Sequence, residues 1–510
     1  MIRALVLVSA LACCADAHAR TDGRLKPDTS VDGHFGYDVR DAATGEPIPC
    51  KLTFVGVHGT PSPRFTSNDI GRQEGDAIAA WDRIMSSSGQ GQIRLPAGEY
   101  DVWVSRGPEW NVLVAKDLRA GAKPIELKAK LRHVVDTRGW LSGDFHVHAA
   151  ASSDSQVPMQ DRIYEFLSDG VELIVSTDHN VVSDYAPIIA QLGLGKYIAS
   201  AAGDELTTGG WGHFGAFPLT HDLERAGQGA LLVHGRTAVD FFADVRRIAP
   251  LAVIDVHHPR IDEEIGYFNL SRFDSQRDRA DKAGFSFDFD AIEVLNGYQD
   301  SERKHVDRVI ADWFNLIDHG HLVTATGNSD THHLDHNIGG YPRNYFAVHE
   351  DDPARLPAEA LPRALLGHHS FFTTAPFVRV RSGGATVGDT VQARDRVAHL
   401  EIEVQAAPWV TVNSVTVYLD GRVASVLVVP QTTDVVRLKT QLDLPITRDA
   451  YAVVRVDGNR PLAPIVGDQI HFDVRPFALT NPIFFDVDGN GRFDALHASP
   501  TAKPRTVPAK

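Results

Sequence analysis

Cysteine is scarce in this chain of 510 residues, which contains three: Cys13, Cys14 and Cys50. The first two fall in an apolar N-terminal segment that we expect to be removed, so Cys50 would remain alone. A single cysteine excludes an intramolecular disulfide, even in the oxidising compartment that this segment implies. Long apolar runs are also missing after the N-terminus, and we therefore expect no membrane-spanning helix.

Positive charge is in deficit, with 50 lysines and arginines against 66 aspartates and glutamates, a net charge of −16. This balance argues against nucleic acid or an anionic membrane as a partner. It does not argue against a small anionic substrate, because bound metal ions can reverse the local field. The sequence shows no internal repeat and does not fix an oligomeric state.

Residues 1–19 have the composition of a secretory signal peptide. Arg3 precedes an apolar stretch over residues 4–12, and Ala17 and Ala19 form a small-x-small cleavage site. We expect cleavage after Ala19 and a periplasmic or secreted protein. Cys13 and Cys14 lie near a poor lipobox, so a lipoprotein remains the alternative.

The rhythm of apolar residues divides the mature chain into four parts. Residues 20–136 alternate as in a β-sandwich, for example over 51–55 and 100–104. Strand and helix patterns then alternate over 137–376, which predicts an α/β domain with helices over 159–168 and 238–248. A second β-rich domain is expected over 377–480, with a hairpin turn at Asp420-Gly421, and a tail over 481–510.

The stretch Gly143-Asp144-Phe145-His146-Val147-His148 ends a strand that we expect to be buried. Alternate side chains of a strand share one face, so Asp144, His146 and His148 should converge on one point. Two neutral imidazoles at this spacing provide half of a site for a cation such as Zn²⁺. Taken alone, the pattern fits a pair of hydrogen-bonded histidines equally well.

Similar polar clusters follow the later apolar strands, and in a βα barrel such strand ends meet at one mouth. The candidate metal ligands collected in this way are His146, His148, Asp154, His179, Glu205, His213, His258, Asp330 and His332.

This set resembles the PHP superfamily, named for polymerase and histidinol phosphatase, and more narrowly the CehA/McbA-type metallohydrolases named for carbaryl hydrolase. The resemblance covers residues 137–376. It rests on the runs Gly143-Asp144-Phe145-His146-Val147-His148, Ser176-Thr177-Asp178-His179-Asn180, Ile292-Glu293-Val294-Leu295-Asn296-Gly297 and Gly327-Asn328-Ser329-Asp330-Thr331-His332.

The resemblance implies a distorted seven-stranded βα barrel between two β-sandwiches, holding two or three divalent ions. By position, His146, His148, Glu205 and Asp330 would hold the first ion; Glu205, His213 and His258 the second; Asp154, His179 and His332 the third. His257 is left outside this set, and His213 is open to doubt because of the Gly210-Trp211-Gly212 run before it.

Carboxylate and imidazole ligands suit zinc first, with manganese or iron as alternatives. Neighbouring ions lower the pKa of a bound water toward ~7, so no serine or cysteine nucleophile is needed. Glu205 and Asp330 are the expected catalytic carboxylates. Arg260 and Arg343 are candidates to hold an anionic group through bidentate hydrogen bonds, and a surface or salt-bridged arginine is the alternative for each.

Asp486, Asp488 and Asn490 match the first half of a calcium loop, but His497 stands where a glutamate should close it. A surface turn is therefore favoured there over a calcium site.

Three functions remain open. The first is a secreted, metal-dependent phosphoesterase acting on a small-molecule ester. The second is a hydrolase of carboxylic or carbamate esters, similar to carbaryl hydrolase. The third is a non-catalytic binding protein, which we rank last because all nine ligand positions carry competent side chains.

The signal peptide gives the first prediction. The secreted protein should begin at or near Arg20, because signal peptidase cleaves after the small-x-small site. Intact-mass measurement and N-terminal sequencing of the exported protein test this. An intact Met1, or a lipid on Cys13 or Cys14, would contradict it.

Overall fold

The structure, a computed structural model, describes residues 32–66, 70–297, 300–334, 338–349, 351–467, 473–500 and 502. The expected signal peptide, residues 1–19, lies outside the described residues. Within these ranges no helix combines the length and apolar composition of a membrane span.

The N-terminal region consists of two sheets that enclose an aromatic core. Its strands are β1 (Gly33–Asp41), β2 (Cys50–Gly56), β3 (Arg72–Gln73), β4 (Ala77–Ala80), β5 (Arg83–Ser86), β6 (Gln90–Leu95), β7 (Gly98–Ser105), β8 (Leu113–Ala120) and β9 (Ile125–Leu131). One sheet has the order β6-β1-β9 and the other β3-β4-β5-β2-β7-β8. Phe35 from the first sheet packs edge-to-face on Phe54 of the second at 5.2 Å between ring centroids. The strands predicted over 51–55 and 100–104 are confirmed as β2 and β7, which pair antiparallel.

The middle region contains the helices and the strands that carry the candidate ligands. Its strands are β10 (Trp140–Val147), β11 (Leu173–Ser176), β12 (Ala199–Ala201), β13 (Asp204–Thr208), β14 (Gly212–Phe217), β15 (Val253–Val256), β16 (Ala291–Asn296), β17 (Thr324–Asn328), β18 (Arg343–Ala347) and β19 (Ser370–Thr373). The helices are α1 (Met159–Ser168), α2 (Ala186–Gln191), α3 (Ala238–Ile248), α4 (Tyr267–Leu270), α5 (Asp300–Asp318) and α6 (Ala360–Leu366).

The predicted helices over 159–168 and 238–248 are confirmed as α1 and α3. Helix α3 begins with a capping box in which the Thr237 side chain accepts from the Asp240 N–H and the Asp240 side chain accepts from the Thr237 N–H. Phe241, Phe242 and Val245 form its buried face. The helical period of apolar residues therefore predicted the correct element.

A closed barrel is not formed among the described residues, so the expected seven-stranded barrel is not confirmed. Strands β10, β11 and β12 are parallel and belong to an eleven-stranded sheet, whereas β13-β14-β15-β16-β17 form a separate five-stranded sheet. Only residues 209–211 separate β13 from β14, which is too short for a parallel crossover, and the two strands pair antiparallel. Single bridges, Val147 to Thr331 and His179 to Glu205, connect the two sheets.

The C-terminal region adds strands to the eleven-stranded sheet and forms a four-stranded sheet. Its strands are β20 (Phe377–Ser382), β21 (Ala385–Thr386), β22 (Thr390–Gln392), β23 (Val397–Gln405), β24 (Ser414–Leu419), β25 (Arg422–Val428), β26 (Val436–Pro445), β27 (Ala450–Asp457), β28 (Phe477–Thr480) and β29 (Ile483–Asp486). The four-stranded sheet has the order β21-β20-β23-β26. Strand β28 pairs with β19, so hydrogen bonds cross the expected boundary at residue 377. Asp420 and Gly421 both have positive φ and join β24 to β25, as the hairpin prediction required.

A buried ion pair fastens the N-terminal region to the middle region. The Lys51 ammonium lies 2.6 Å from Asp169 Oδ2, and both side chains are almost completely buried. Tyr341 donates to Asp169 Oδ1 at 3.1 Å. Burial lowers the pKa of Lys51, and Asp169 opposes that shift.

Replacing Asp169 by Asn should destabilise the protein by about 3–5 kcal/mol, because it leaves the Lys51 ammonium buried without its counter-charge. Chemical denaturation followed by circular dichroism measures this. The control is Asp281→Asn, whose exposed pair with Arg279 should contribute at most about 1 kcal/mol. Equal effects of the two changes would contradict the assignment of Asp169 as a structural anchor.

Candidate metal centre

Strand β10 carries the first two candidate ligands into the interior. All eight of its residues are buried, and His148 follows directly after its last residue. His146 Nδ1 lies 3.1 Å from Glu293, and His148 Nδ1 lies 3.0 Å from Ser152. These contacts leave the Nε2 atom of each ring facing the same interior space.

Glu205, on β13, is the carboxylate that most of the candidate histidine ligands surround. Burial opposes its charge, but His213 and His146 outweigh that effect and hold the pKa of Glu205 well below its usual range. Six imidazole rings approach its two oxygens. Oε1 lies 2.8 Å from His257 Nδ1, 3.0 Å from His146 Nε2, 3.5 Å from His213 Nδ1 and 3.7 Å from His258 Nε2. Oε2 lies 2.7 Å from His179 Nδ1 and 3.6 Å from His148 Nε2.

Asp330 is the second carboxylate of the centre and follows β17. Its Oδ1 lies 3.1 Å from His146 Nε2 and 3.2 Å from His148 Nε2. Asn296 donates to the other oxygen at 3.1 Å. Although burial opposes ionisation, His146 and His148 hold the pKa of Asp330 well below its usual range.

Asp154 forms the outer part of the centre. Its Oδ2 lies 3.0 Å from His179 Nε2 and 3.2 Å from His332 Nε2, and the His332 ring stacks on His148 at 4.0 Å. The Asp154 side chain is 49% exposed, whereas His332 is 20% and His179 13% exposed. Because His146 and His148 are fully buried, the centre opens to solvent on the side of Asp154.

Five buried ligand atoms have no hydrogen-bond partner: Nε2 of His146, His148 and His257, Nδ1 of His258 and Oε2 of Glu205. Leaving such atoms unpaired in the interior is unfavourable, and His146 Nε2 lies 3.0 Å from Glu205 Oε1 without hydrogen-bond alignment. Bound divalent cations would satisfy Nε2 of His146 and His148 and Oε2 of Glu205, which face the same space, so the donor set fits metal ions. Zinc, manganese and iron all accept mixed imidazole and carboxylate ligands.

The candidate ligand atoms fall into four groups within each of which all atoms lie within 4.8 Å of one another. The groups are His148, Asp154, His179 and His332; His146, Glu205 and His257; His146, His258 and Asp330; and His179, Glu205 and His213.

The protonation preferences of the rings fit this grouping. Burial lowers the pKa of His148 to about 3 and that of His257 to about 4, so both rings are in the neutral form that binds metals. For His179 burial acts in the same direction, but the neighbouring carboxylates of Asp154 and Glu205 raise its pKa to about 10. Without an ion, protons on such rings balance the charge of the carboxylates.

The structure brings all nine predicted ligand side chains to one place, and their role as ligands stays a prediction. His148 groups with Asp154, and its Nε2 also lies 3.2 Å from Asp330 Oδ1, next to the expected first ion. Two placements differ from the expectation. His257 lies closer to Glu205 than His258 does. Asp144 does not converge with His146, because its carboxylate turns away and accepts from the backbone N–H groups of Ser329 and Gly340.

Arg260 and Arg343 do not reach into the centre as anion-holding groups. Arg260 makes a bidentate pair with Asp312 at 2.7 and 3.1 Å and donates to the Phe273 carbonyl. Arg343 is fully buried and donates to the carbonyls of Gly340 and Asp169. Both guanidinium groups are engaged within the fold, and we leave them out of the proposed site.

Glu293, on β16, lies against the candidate ligand His146 and was not among the residues expected from the sequence. Its carboxylate contacts His146 Nδ1 at 3.1 Å and accepts from the His258 N–H at 2.9 Å, from Asn296 at 2.8 Å and from Asn328 at 2.9 Å. Burial opposes its charge, but His146 lowers the pKa of Glu293 below its usual value. One feature of the sequence could have identified Glu293: it is the single charged residue in the otherwise apolar strand segment 291–295.

The segment that matches the first half of a calcium loop forms a turn around Asp486. Its two carboxylate oxygens accept from the Gly489 N–H at 2.6 Å and the Gly491 N–H at 2.8 Å. Asn490 donates to Asp488 at 3.2 Å. The favoured alternative, a surface turn, accounts for these contacts.

Comparisons with known proteins give distant matches. No protein-family model and no curated protein matches the chain. Among eight matching solved chains, Endonuclease Q bound to a 27-mer duplex with an abasic lesion is 15% identical over 45% of this chain, with a TM-score of 0.31. The lesion-specific Endonuclease Q of Pyrococcus furiosus is 15% identical over 44% of this chain, with a TM-score of 0.29. An engineered protein is 12% identical over 64% of this chain, with a TM-score of 0.16.

This chain spans 57%, 56% and 51% of the length of those three proteins. At these TM-scores the likeness does not establish a shared fold, and the function has to be argued from the residues of the centre.

Replacing Glu293 by Gln should weaken metal binding by about 10- to 100-fold, because partners that orient a ligating histidine contribute on that scale. A glutamine offers one acceptor oxygen to the four donors that now meet the carboxylate. Competition with a chromogenic chelator measures the affinity.

The matched control is Glu172→Gln, at a partly buried glutamate that accepts from Ser142 and whose pKa is raised by burial and by Glu109. Because Glu172 is held by Ser142 and contacts none of the candidate ligands, its replacement by glutamine should leave metal affinity unchanged. Unchanged affinity in Glu293→Gln would contradict its role.

Proposed function

We propose that this protein is a metal-dependent hydrolase of the PHP type that acts on phosphoesters. The observation that carries the proposal is the set of buried atoms without hydrogen-bond partners that face one space, Nε2 of His146 and His148 and Oε2 of Glu205, beside the carboxylate of Asp330. A purely structural cluster would pair these atoms with one another. The CehA/McbA-type assignment is part of the same proposal and rests on the sequence runs.

The candidate ligands would form separate sets, each holding one ion. Glu205 would be shared between ions because it belongs to two of the ligand groups, one with His146 and the other with His179 and His213. Asp330 would complete the set with His146 and His258, and Asp154 with His148, His179 and His332. When bound, divalent ions polarise the substrate and lower the pKa of a water molecule toward ~7, which supplies the nucleophile.

The exposure of the side chains supports one side of entry for a substrate. Asp154 is the most exposed member, followed by His332, Asp330 and His179, so a small ester would approach from the side of Asp154 and meet the deeper His146 and His148 last. The fully buried ring of His148 stacks on His332. The outer residues would therefore contact the substrate, and the inner ones would set the charge.

A second candidate function is hydrolysis of carboxylic or carbamate esters. The engagement of Arg260 with Asp312, and of Arg343 with backbone carbonyls, favours it. Neither guanidinium contacts the candidate ligands, so neither is placed to hold a phosphate there, whereas a neutral ester requires no such group. Secretion to the periplasm or medium is also proposed, from the N-terminal sequence alone.

The test combines metal analysis with a substrate panel of phosphomonoesters, phosphodiesters, aryl esters, carbamates and an abasic DNA duplex. The parent should contain two or three divalent ions and hydrolyse a phosphoester. Turnover of aryl esters or carbamates alone would favour the second candidate, and no bound metal would contradict both.

Replacing Glu205 by Gln should remove at least one metal equivalent and reduce turnover by more than the about 100-fold that loss of an outer partner produces. The reason is that glutamine keeps the shape but removes the charge that separates the cations. Glu172→Gln again serves as the control. Full metal content and normal turnover in Glu205→Gln would contradict the shared-ligand assignment.

A further inference from the structure

His257 is a fully buried imidazole that no expected ligand position accounts for. It follows β15, and its ring stacks on His146 with centroids 3.6 Å apart and planes at 19°. Its Nδ1 makes a hydrogen bond of 2.8 Å with Glu205 Oε1. By contrast, His146 Nε2 approaches the same oxygen at 3.0 Å without hydrogen-bond alignment.

The His257 side chain extends over a glycine of β14 to contact Glu205. Gly215 on β14 lies directly opposite Glu205 on β13 and opposite Asp255 on β15, so the three side-chain positions share one face. A Cβ atom at position 215 would stand 2.5 Å from His257 Nε2. The missing side chain is therefore what allows the ring to reach over β14.

The same glycine fixes the tautomer of the ring. Nε2 of the ring lies over Gly215 and has no hydrogen-bond partner. A proton on Nε2 would be a buried donor without an acceptor, whereas a proton on Nδ1 is directed at a carboxylate. The ring therefore carries its proton on Nδ1.

We propose that His257 is a positioning residue: its Nδ1–H donates to Glu205 Oε1 and holds the carboxylate in the orientation that binds metal. One lone pair of Oε1 is then taken by this hydrogen bond, and the other faces the ligand atoms of His146 and His258. The proposal rests on the proposed metal centre and adds a residue that binds no ion itself. Carboxylate ligands held by such hydrogen bonds bind metal more tightly.

The experiment compares His257→Asn with His257→Gln in the full-length protein. An asparagine amide reaches the position of Nδ1 and can still donate to Glu205, whereas a glutamine amide reaches the position of Nε2 and meets Gly215. We expect His257→Asn to keep zinc affinity within about threefold of the parent and His257→Gln to lose about 10- to 100-fold. Chelator competition measures affinity, the absorption spectrum of the cobalt-loaded protein reports coordination, and thermal melting confirms folding.

A second variant tests the path across β14 without changing His257. Gly215→Ala should lower zinc affinity in the parent because its Cβ displaces the ring. In the His257→Asn background the same change should have little effect, since asparagine has no atom at the position of Nε2. This non-additivity identifies the two residues as one unit.

Each other outcome overturns the inference. Parental affinity in His257→Gln, or additive effects of Gly215→Ala and His257→Asn, would show that His257 does not position Glu205. Loss of a metal equivalent and a changed cobalt spectrum in His257→Asn would make His257 a direct ligand. A parent that binds no metal would defeat the proposed function itself, which separates that failure from these.

Discussion

The charge of Glu205 is the constraint on which the centre depends. A carboxylate removed from water needs compensating charge or hydrogen bonds, and here six imidazole rings approach it within 3.7 Å. These rings come from four separate parts of the chain. They converge only when the strands that carry them lie side by side. The arrangement of the sheets therefore provides the partners that the buried charge of Glu205 needs.

The centre also lies where the two large sheets of the middle region touch. The bridges Val147 to Thr331 and His179 to Glu205 connect the sheets, and each includes or adjoins a candidate ligand. Bound ions would then link the sheets as well as serve chemistry. Metal loading and the stability of this junction are therefore coupled.

Buried carboxylates outside the ligand set hold the surrounding loops. Asp144 accepts from Ser329 and Gly340, and burial raises its pKa to about 7. Asp178 accepts from the Ala149 N–H and from Ser183, and burial raises its pKa to about 6. Together with Glu293 these groups fix the loops that present the histidines, which is the usual supporting layer of a metal site.

Local pattern in the sequence determined the helices α1 and α3, the strands β2 and β7, and the identity of nine converging side chains, because periodicity and residue chemistry are local properties. Tertiary structure decided the rest. The three-residue connection 209–211 turned β14 back against β13 and prevented a regular βα barrel. Arg260 pairs with Asp312, which is 52 residues away in the sequence, and His257 contacts Glu205 by extending over Gly215. Such pairings depend on which strands become neighbours in space, and no local pattern encodes that.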